Sequence, residues 1–481
     1  MSGRNVGRKP VIVWFRHDLR LDDHPALSAA VETGRPVLCV YIFDPSIEHV
    51  PVKGGAYRWW LREALASLSA QLQHYGGTLL TLAGVTEEVL PRLVSEVGAV
   101  SVFAHCRVLS GERAQDQRLA RVLSRSGVGF QLEWGTVLRH PQAVLTKERH
   151  AYRVYTAFWK AFRAVGAEAP LAVPEKWASL SVPSSLMAEH RLDEGGLRPA
   201  VPDWAAGLRA SWRVDGRAGL QALEAFVDDL CGDYAKARDY MAQEGTSRLS
   251  PYLASGMLSP RRLWDIVRQR GGEREGAQVF LSELGWREFA QYTLFHTPSL
   301  PYESVNQKFH AMSWRRSEHD LTAWQRGQTG VPIVDAAMRQ LWQTGWMHNR
   351  ARMIVGSFLA KHLLIDWREG EAWFRDTLVD YDPASNAMNW QWVAGTGIDA
   401  APFFRIFNPT LQAEKFDPDG TYIRRWVPEL GALSGKALRE PWNASEAVLR
   451  SAGVELGRTY PRPIVGLSEG RDRALKAFKA L

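Results

Sequence analysis

The chain has 481 residues, 46% of them hydrophobic and 23% charged, which suffices for two or three cores and excludes a mostly disordered or collagen-like protein. Its net charge of +7 is spread thinly along the chain, so any basic face must come from local clustering. Three scattered cysteines without a CxxC pair argue against a zinc site or a disulfide framework, and no apolar run is long enough to span a membrane.

The first residues, MSGRNVGRKP, are basic but lead straight into a strand without a signal-peptide core, so a soluble, cytoplasmic protein is expected. KPVIVWF, PVLCVYIFD, GTLLTLAG, AVSVFAH and GFQLEWG then read as buried strands. Residues 24–33, 56–75, 86–97 and 111–126 carry helical periodicity between them, with Trp60, Ala64, Leu65, Leu68 and Leu72 on one stripe. Strand–helix alternation over 1–135 predicts a doubly wound parallel sheet that binds ligands beyond the carboxyl ends of its strands. No GxGxxG or Walker motif names that ligand.

Residues 136–215 read as a connector. A helical patch, AYRVYTAFWKAF, gives way to a stretch with Pro170, Pro174, Pro183, Pro199 and Pro202, a spacing that forbids a long helix. From 216 to 481 helical stretches dominate, and this part is expected to be all-α. Between Asp335 and Asp366 there is no acid, while Arg339, Arg350, Arg352 and Lys361 supply positive charge, which makes this stretch a candidate nucleic-acid face.

Tryptophan is abundant, with 20 copies against 18 Phe and 13 Tyr, and nine lie between Trp286 and Trp392. Met338, Trp342 and Trp346 step by four and are expected in the core. Trp390 and Trp392 cannot share one helical face, so at least one should point to a pocket or a surface. In ELGWREF, Glu283 precedes Trp286 by three and Arg287 by four. That spacing suits either a clamp for a flat heterocycle or an ordinary Glu283–Arg287 surface pair. Asn349 and Met353 are i,i+4 neighbours, as are His348 and Arg352, which fits a nucleobase pocket or a half-buried helix face.

In EGTSRLSPYL, Ser250 reads as an N-cap with Pro251 at the first helical position. Thr246, Ser247 and Ser250 suit a diphosphate cradle as well as capping. Asp380 and Asp382 fit a divalent metal, arginine partners or polar cofactor edges. With no other carboxylates clustered nearby, metal is the reading set aside, and no metal is expected.

EGTSRLSPYLASGMLSP, LSELGWREF, TGVPIVDAAMRQL, TGWMHNRARMI, LLIDWREGEAWF and NWQWVAGTGIDAAPFFRIFNP, in that order, resemble the photolyase/cryptochrome family, most closely its class I cyclobutane pyrimidine dimer photolyases. The resemblance covers nearly the whole chain. It implies an α/β antenna domain (1–135), a connector (136–215) and an all-helical FAD domain (216–481). Tyr234 and the run Thr246, Ser247, Arg248, Leu249 and Ser250 would hold the phosphates and ribityl chain of FAD. Asp380 would pair with Arg352 beside the isoalloxazine, Asp382 would meet its polar edge, and Asn386 would sit near N5, an amide suited to reduced, anionic flavin.

The resemblance further implies a lesion cavity lined by Glu283, Trp286, Asn349, Met353 and Trp392, with Arg238, Arg287, Arg350, Arg405 and Lys415 on phosphates of UV-damaged DNA. Light-excited reduced flavin would give an electron to the dimer, whose ring opens before the electron returns. Trp390, Trp367 and Trp314 match the family's chain of three tryptophans that carries electrons to oxidised flavin. A monomer is expected. A second, antenna chromophore is left open between a folate, a deazaflavin, another flavin and none, because FAHCRVLSGERAQDQRL departs from known antenna patterns. Val331 stands where relatives often have Tyr, and NAMNW replaces glycines common before Gln391. A pair of histidines at Asn349 and Met353 would mark a (6-4) photolyase, and Gln at Met353 a DASH-type cryptochrome. Neither is present, and a cryptochrome-type light sensor is the alternative to repair.

Overall fold

The computed structural model describes residues 8–190 and 203–481. All five strands form where the apolar runs predict them: β1 (Val11–Phe15), β2 (Val37–Phe43), β3 (Leu79–Ala83), β4 (Ser101–His105) and β5 (Gly129–Glu133). They make one sheet in the order β3-β2-β1-β4-β5. Val11 pairs with Val37 on one side and Ser101 on the other, both in parallel register. β1 and β2 are buried almost throughout, which is why they read as unbroken apolar runs, whereas the edge strand β5 is partly exposed. The crossovers are α1 (Pro25–Glu32), α2 (Gly55–His74), α3 (Thr86–Val97) and α4 (Ser110–Arg125). The predicted stripe of α2, from Trp60 to Leu72, is buried. Strand order reverses between β1 and β4, so the loops beyond their carboxyl ends bound a topological switch point.

In the connector, the helical patch becomes α5 (Tyr155–Val165). Pro170, Pro174 and Pro183 lie in an irregular stretch that ends in one turn of helix at Ser184–Met187. Pro199 and Pro202 are outside the described residues.

The chain folds into two compact units. One comprises Met1–Ala205, Trp212–Cys231 and Ser247–Pro298, and the other Ala206–Ser211, Gly232–Thr246 and Ser299–Leu481. The first unit adds α6 (Ser250–Ala254) and α7 (Glu275–His296) to the sheet. Arg20, buried, binds its segments together by donating to the carbonyls of Asp23, Gly135 and Gly256. Trp60 adds an indole N–H to the Ser255 hydroxyl at 3.0 Å.

The second unit is helical and includes α8 (Pro332–Thr344), α9 (Asn349–Ser357), α10 (Trp367–Thr377), α11 (Pro383–Ala394) and α12 (Pro409–Phe416). Among the described residues no helix is long and apolar enough to cross a membrane.

Two local expectations are corrected. Ser250 is the first residue of α6, not its cap. Leu249 occupies the cap position without a side-chain bond, and the helix start moves by one residue. Trp342 is 66% exposed instead of core. The buried face of α8 is taken by Val334, Ala337, Met338 and Leu341, and one step beyond Leu341 turns Trp342 about 100° away from it. There it stacks on Trp373, with ring centroids 5.8 Å apart and planes 6° from parallel. Trp346 is not on that stripe at all, because α8 ends at Gly345 in a left-handed cap (φ 67°).

Candidate functional site

In the first unit, Glu283, Trp286 and Arg287 all lie on α7. The Trp286 ring lies flat on Tyr155, with centroids 3.7 Å apart and an interplanar angle of 14°. Tyr155 is held from behind by its hydroxyl, which donates to the Ser282 carbonyl at 2.6 Å. Gly285 permits this close packing of α7 on α5: a Cβ there would stand 2.4 Å from the Trp159 ring. Arg287 donates twice to the Thr136 carbonyl, each at 3.2 Å, so its guanidinium is anchored to the protein. Ser247 to Ser250 form the turn into α6. Arg248 there has a left-handed backbone (φ 51°), uncommon without glycine, and its guanidinium lies 4.5 Å over Trp212.

In the second unit, Arg352 on α9 reaches Asp380 at 2.7 Å while its Nε donates to the Met347 carbonyl at 2.8 Å. The other carboxylate oxygen of Asp380, Oδ1, is buried and has no hydrogen-bond partner. Asp382 caps α11 by accepting from the Ser385 amide at 2.7 Å. Asn386, one turn on and buried, donates from Nδ2 to both the backbone carbonyl and the carboxylate of Glu371 on α10. Tyr234 is buried under Arg238, whose guanidinium is 5.3 Å from its ring, and Thr246 is half-buried.

Asn349 opens α9 and is exposed, and Met353 is half-buried one turn later. Arg350 between them is engaged three ways. It pairs with Asp239 at 2.5 Å, lies 4.3 Å over Phe416 and donates weakly to the Met353 sulfur at 3.8 Å. Arg405 and Lys415 are exposed.

The tryptophans separate as their spacing requires. Trp390 is buried, Trp392 is half-buried, Trp367 is fully buried with its N–H on the Ser304 hydroxyl, and Trp314 is half-buried. Trp390 lies against α10 because residue 370 is glycine, where a Cβ would meet the indole at 2.1 Å. Its own N–H is buried without a partner.

A cavity in the first unit opens at the switch point, lined by Trp14 on β1, Arg16 and His17 just after it, Tyr41 to Asp44 at the end of β2, and Lys53, Thr86, Arg107 and Glu112. Lys53 donates to His17 Nδ1 at 3.0 Å, and His17 Nε2 meets Glu112 at 2.9 Å. Burial alone would raise the Glu112 carboxyl, but His17, Arg107 and Lys53 outweigh it and hold the group at about 2. Sequence reasoning missed this relay. His17 and Glu112 are far apart in the chain, and the second sits in the segment that matched no familiar pattern. Glu371 was missed as well, although WREGEAWF contains it.

Beside His17 in the sequence, Asp18 joins His24 and His105 in a fully buried group whose histidine nitrogens lie 3.2 and 2.9 Å from Asp18 Oδ2. Protons argue against a metal there. His24 caps α1 by accepting the Leu27 amide on Nδ1, so a neutral ring carries its proton on Nε2, the atom that faces Asp18.

Comparison with known proteins gives the site its context. Residues 280–480 match the family model described as the FAD binding domain of DNA photolyase, and residues 11–175 match that of DNA photolyase. The chain is 48% identical over 474 residues to a deoxyribodipyrimidine photo-lyase of Agrobacterium fabrum, covering 98% of both chains. It is 36% identical to cryptochrome-1 of Arabidopsis thaliana, covering 98% of this chain and 70% of that protein. A crystal structure of a bacterial class III photolyase from Agrobacterium tumefaciens superposes with a TM-score of 0.94 at 47% identity, over 100% of this chain and 99% of that one.

Proposed function

The chain belongs to the DNA photolyase family, and from that premise we propose that it splits cyclobutane pyrimidine dimers in DNA, using light and fully reduced, anionic FAD. The observation that carries the flavin half of this reading is the buried Asp380 Oδ1 without a donor. Leaving such an oxygen unsatisfied costs about 1–3 kcal/mol, and an N–H on the polar edge of a flavin ring is the kind of group that satisfies it. Arg352 and Asp380 hold the ring, Asp382 meets its polar edge and Asn386 faces N5. Tyr234, Thr246, Ser247, Arg248, Leu249 and Ser250 bind the phosphates and ribityl chain. When bound, FAD supplies the light-excited electron donor.

The chain's own work is to present the lesion. Trp286 and Trp392 stack on a flipped-out dimer, Asn349 and Met353 contact its bases, and Glu283 hydrogen-bonds a base and stabilises the negative charge it acquires. Extrusion costs a few kcal/mol, least for an already distorted lesion, as for photolyases and other base-flipping enzymes generally. Aromatic stacking returns about 1–3 kcal/mol per base, so two indoles roughly offset the flip for a damaged pair only. Tyr155 behind Trp286 keeps that indole flat and rigid before the lesion arrives.

Trp390, Trp367 and Trp314 carry electrons to oxidised cofactor. The cavity at the switch point is the site proposed for an antenna chromophore, a planar ring against Trp14 and Tyr41 with acidic groups toward Arg58 and Lys53. The protein acts as a monomer, with antenna, connector and flavin functions in 1–135, 136–215 and 216–481. Its identity to the solved class III enzyme favours that class, where the motifs alone pointed to class I.

The test illuminates purified protein with a dimer-containing oligonucleotide and a reductant, under blue light and in darkness. Thymines restored only in the light are expected; none restored would leave the cryptochrome-type sensor as the better reading. Glu283→Ala is expected to slow repair at least tenfold while changing binding far less. Equal repair yields in both proteins would remove Glu283 from the chemistry.

A further inference from the structure

We infer that residues 45–53 form a hinged lid over the switch-point cavity, with Lys53 as a catch that passes from His17 to the oxyanion of a bound planar ligand. The inference rests on the reading that this cavity takes a planar, anionic ligand, and the donors around it support that reading by themselves. Trp14, Arg16 and Arg58 line the cavity, and Trp14 Nε1, Arg16 Nε and Nη2, and Arg58 Nε are buried without hydrogen-bond partners. Buried donors left in this way call for a ligand rich in acceptors. Two of the three side chains are cations, so an oxyanion serves them best.

One wall of the cavity is a stretch of chain without helix or strand. Between the end of β2 and the start of α2, Ile47, Val50, Pro51 and Lys53 line it. Pro45 and Pro51 stiffen the stretch, whereas its two ends are built to turn. At one end Asp44 closes a turn on the Ser46 amide at 2.9 Å and is tied to α3 by the Thr86 amide at 2.8 Å. At the other, Gly54 and Gly55 follow Lys53 directly, and a glycine pair resists rotation least. In the middle His49 has a left-handed backbone (φ 55°), a shape that persists only where the surroundings hold it. The seat that holds it is the first turn of α4. A Cβ at Gly111 would stand 2.0 Å from the Glu48 carbonyl oxygen and 3.1 Å from that of His49.

Lys53 fastens the end next to the glycines. Its ammonium donates to His17 Nδ1 at 3.0 Å and lies 4.6 Å from the centre of the Tyr57 ring. Glu112, beside Gly111 on α4, accepts from His17 Nε2 at 2.9 Å, so the imidazole carries its proton there and offers a lone pair at Nδ1. An ammonium bound to a neutral nitrogen is held less strongly than one bound to an oxyanion, where charge meets charge. A ligand that brings an oxyanion into the cavity therefore takes the ammonium from His17 and holds the lid down over itself. Seat and catch belong to one turn of α4: Gly111 receives the backbone of the lid, and Glu112 fixes the tautomer that accepts its lysine.

The experiment uses FAD-loaded protein and follows deuterium uptake by the peptide spanning 44–54. Binding and release of flavin mononucleotide, a planar ring with a phosphate, are followed beside it by stopped-flow fluorescence, with riboflavin as the phosphate-free counterpart. Gly111→Ala unseats the lid and is expected to raise the uptake rate over 44–54 and the release rate of flavin mononucleotide about tenfold each, with uptake in β1 and β2 unchanged. Lys53→Met removes the catch and is expected to raise uptake over 44–54 about threefold. It should speed release of flavin mononucleotide about tenfold and leave riboflavin unaffected. Should the alanine variant not fold, uptake in Lys53→Met decides the lid. Unchanged uptake over 44–54 overturns the lid, and equal effects of Lys53→Met on the two ligands overturn the catch. Unmutated protein that binds neither ligand overturns the ligand reading beneath, while uptake in the two variants still decides the lid.

Discussion

Single residues divide here between those whose bonding is complete and those left waiting for something. Asp380 Oδ1 and the Trp390 N–H are buried and unpartnered, whereas Trp367 spends its N–H on Ser304. Of the three tryptophans proposed to carry electrons, Trp314 is the one reached by solvent, half-buried beside Phe309 and Phe403. Trp314→Phe is accordingly expected to cut light-driven reduction of oxidised flavin by more than tenfold and to spare repair by pre-reduced protein. Loss of both activities in parallel would show that the electron route is assigned wrongly.

His105 makes a different kind of prediction. Burial, then His24, pushes its imidazole down to about 3 despite Asp18. Its folded pKa lies below its unfolded value near 6.5, so as pH falls the unfolded chain takes up the proton first. Stability present above pH 6.5 is then lost down to about pH 3, at up to about 1.4 kcal/mol per pH unit. Melting temperatures measured across that range should fall less steeply for His105→Asn. Parallel curves would mean that His105 does not titrate differently on folding.

At the scale of elements, glycines decide which helices may touch. Gly370→Ala places a methyl group inside the Trp390 ring and is expected to destabilise the protein by about 1–3 kcal/mol, read as a lower denaturation midpoint with bound flavin partly lost. A variant as stable as the parent would show that α10 and α11 separate freely.

The same scale shows what could be read from the chain. All five strands and four crossover helices were legible because burial on both faces leaves unbroken β-branched runs, and one-sided burial leaves a 3.6-residue stripe. Trp342 was misread because a four-residue step drifts about 40° around the helix, enough at the margin of a face to exchange core for solvent. The Asn386–Glu371 bonds were not legible, since 15 residues and a helix junction separate the two. Lys53, His17 and Glu112 meet only because three strand ends converge on one crevice, which no local pattern encodes.

For the whole molecule the question is how a chain of net charge +7 would hold a polyanion without reading its sequence. Phosphate contacts made by Z cations give a slope of about −0.9Z in log affinity against log salt on duplex DNA. With Arg238, Arg287, Arg350, Arg405 and Lys415 all on phosphates the slope would be about −4.5. The structure lowers that expectation, because Arg287 is anchored to the Thr136 carbonyl and Arg350 to Asp239, while Arg405 and Lys415 are exposed.

A half-buried pair near the surface such as Arg350–Asp239 is worth about 1 kcal/mol, so breaking it costs little stability and releases a cation. Asp239→Asn should therefore tighten binding to dimer-containing duplex at low salt and steepen the slope by about 0.9. Fluorescence anisotropy between 50 and 200 mM salt resolves a change of that size, because four-fold dilution of salt multiplies it to about three- to fourfold in affinity. An unchanged slope would mean that Arg350 stays on Phe416 with or without its acidic partner. It would then support the base contacts of Asn349 and Met353 from behind, as a rigid part of α9, and would neutralise no phosphate.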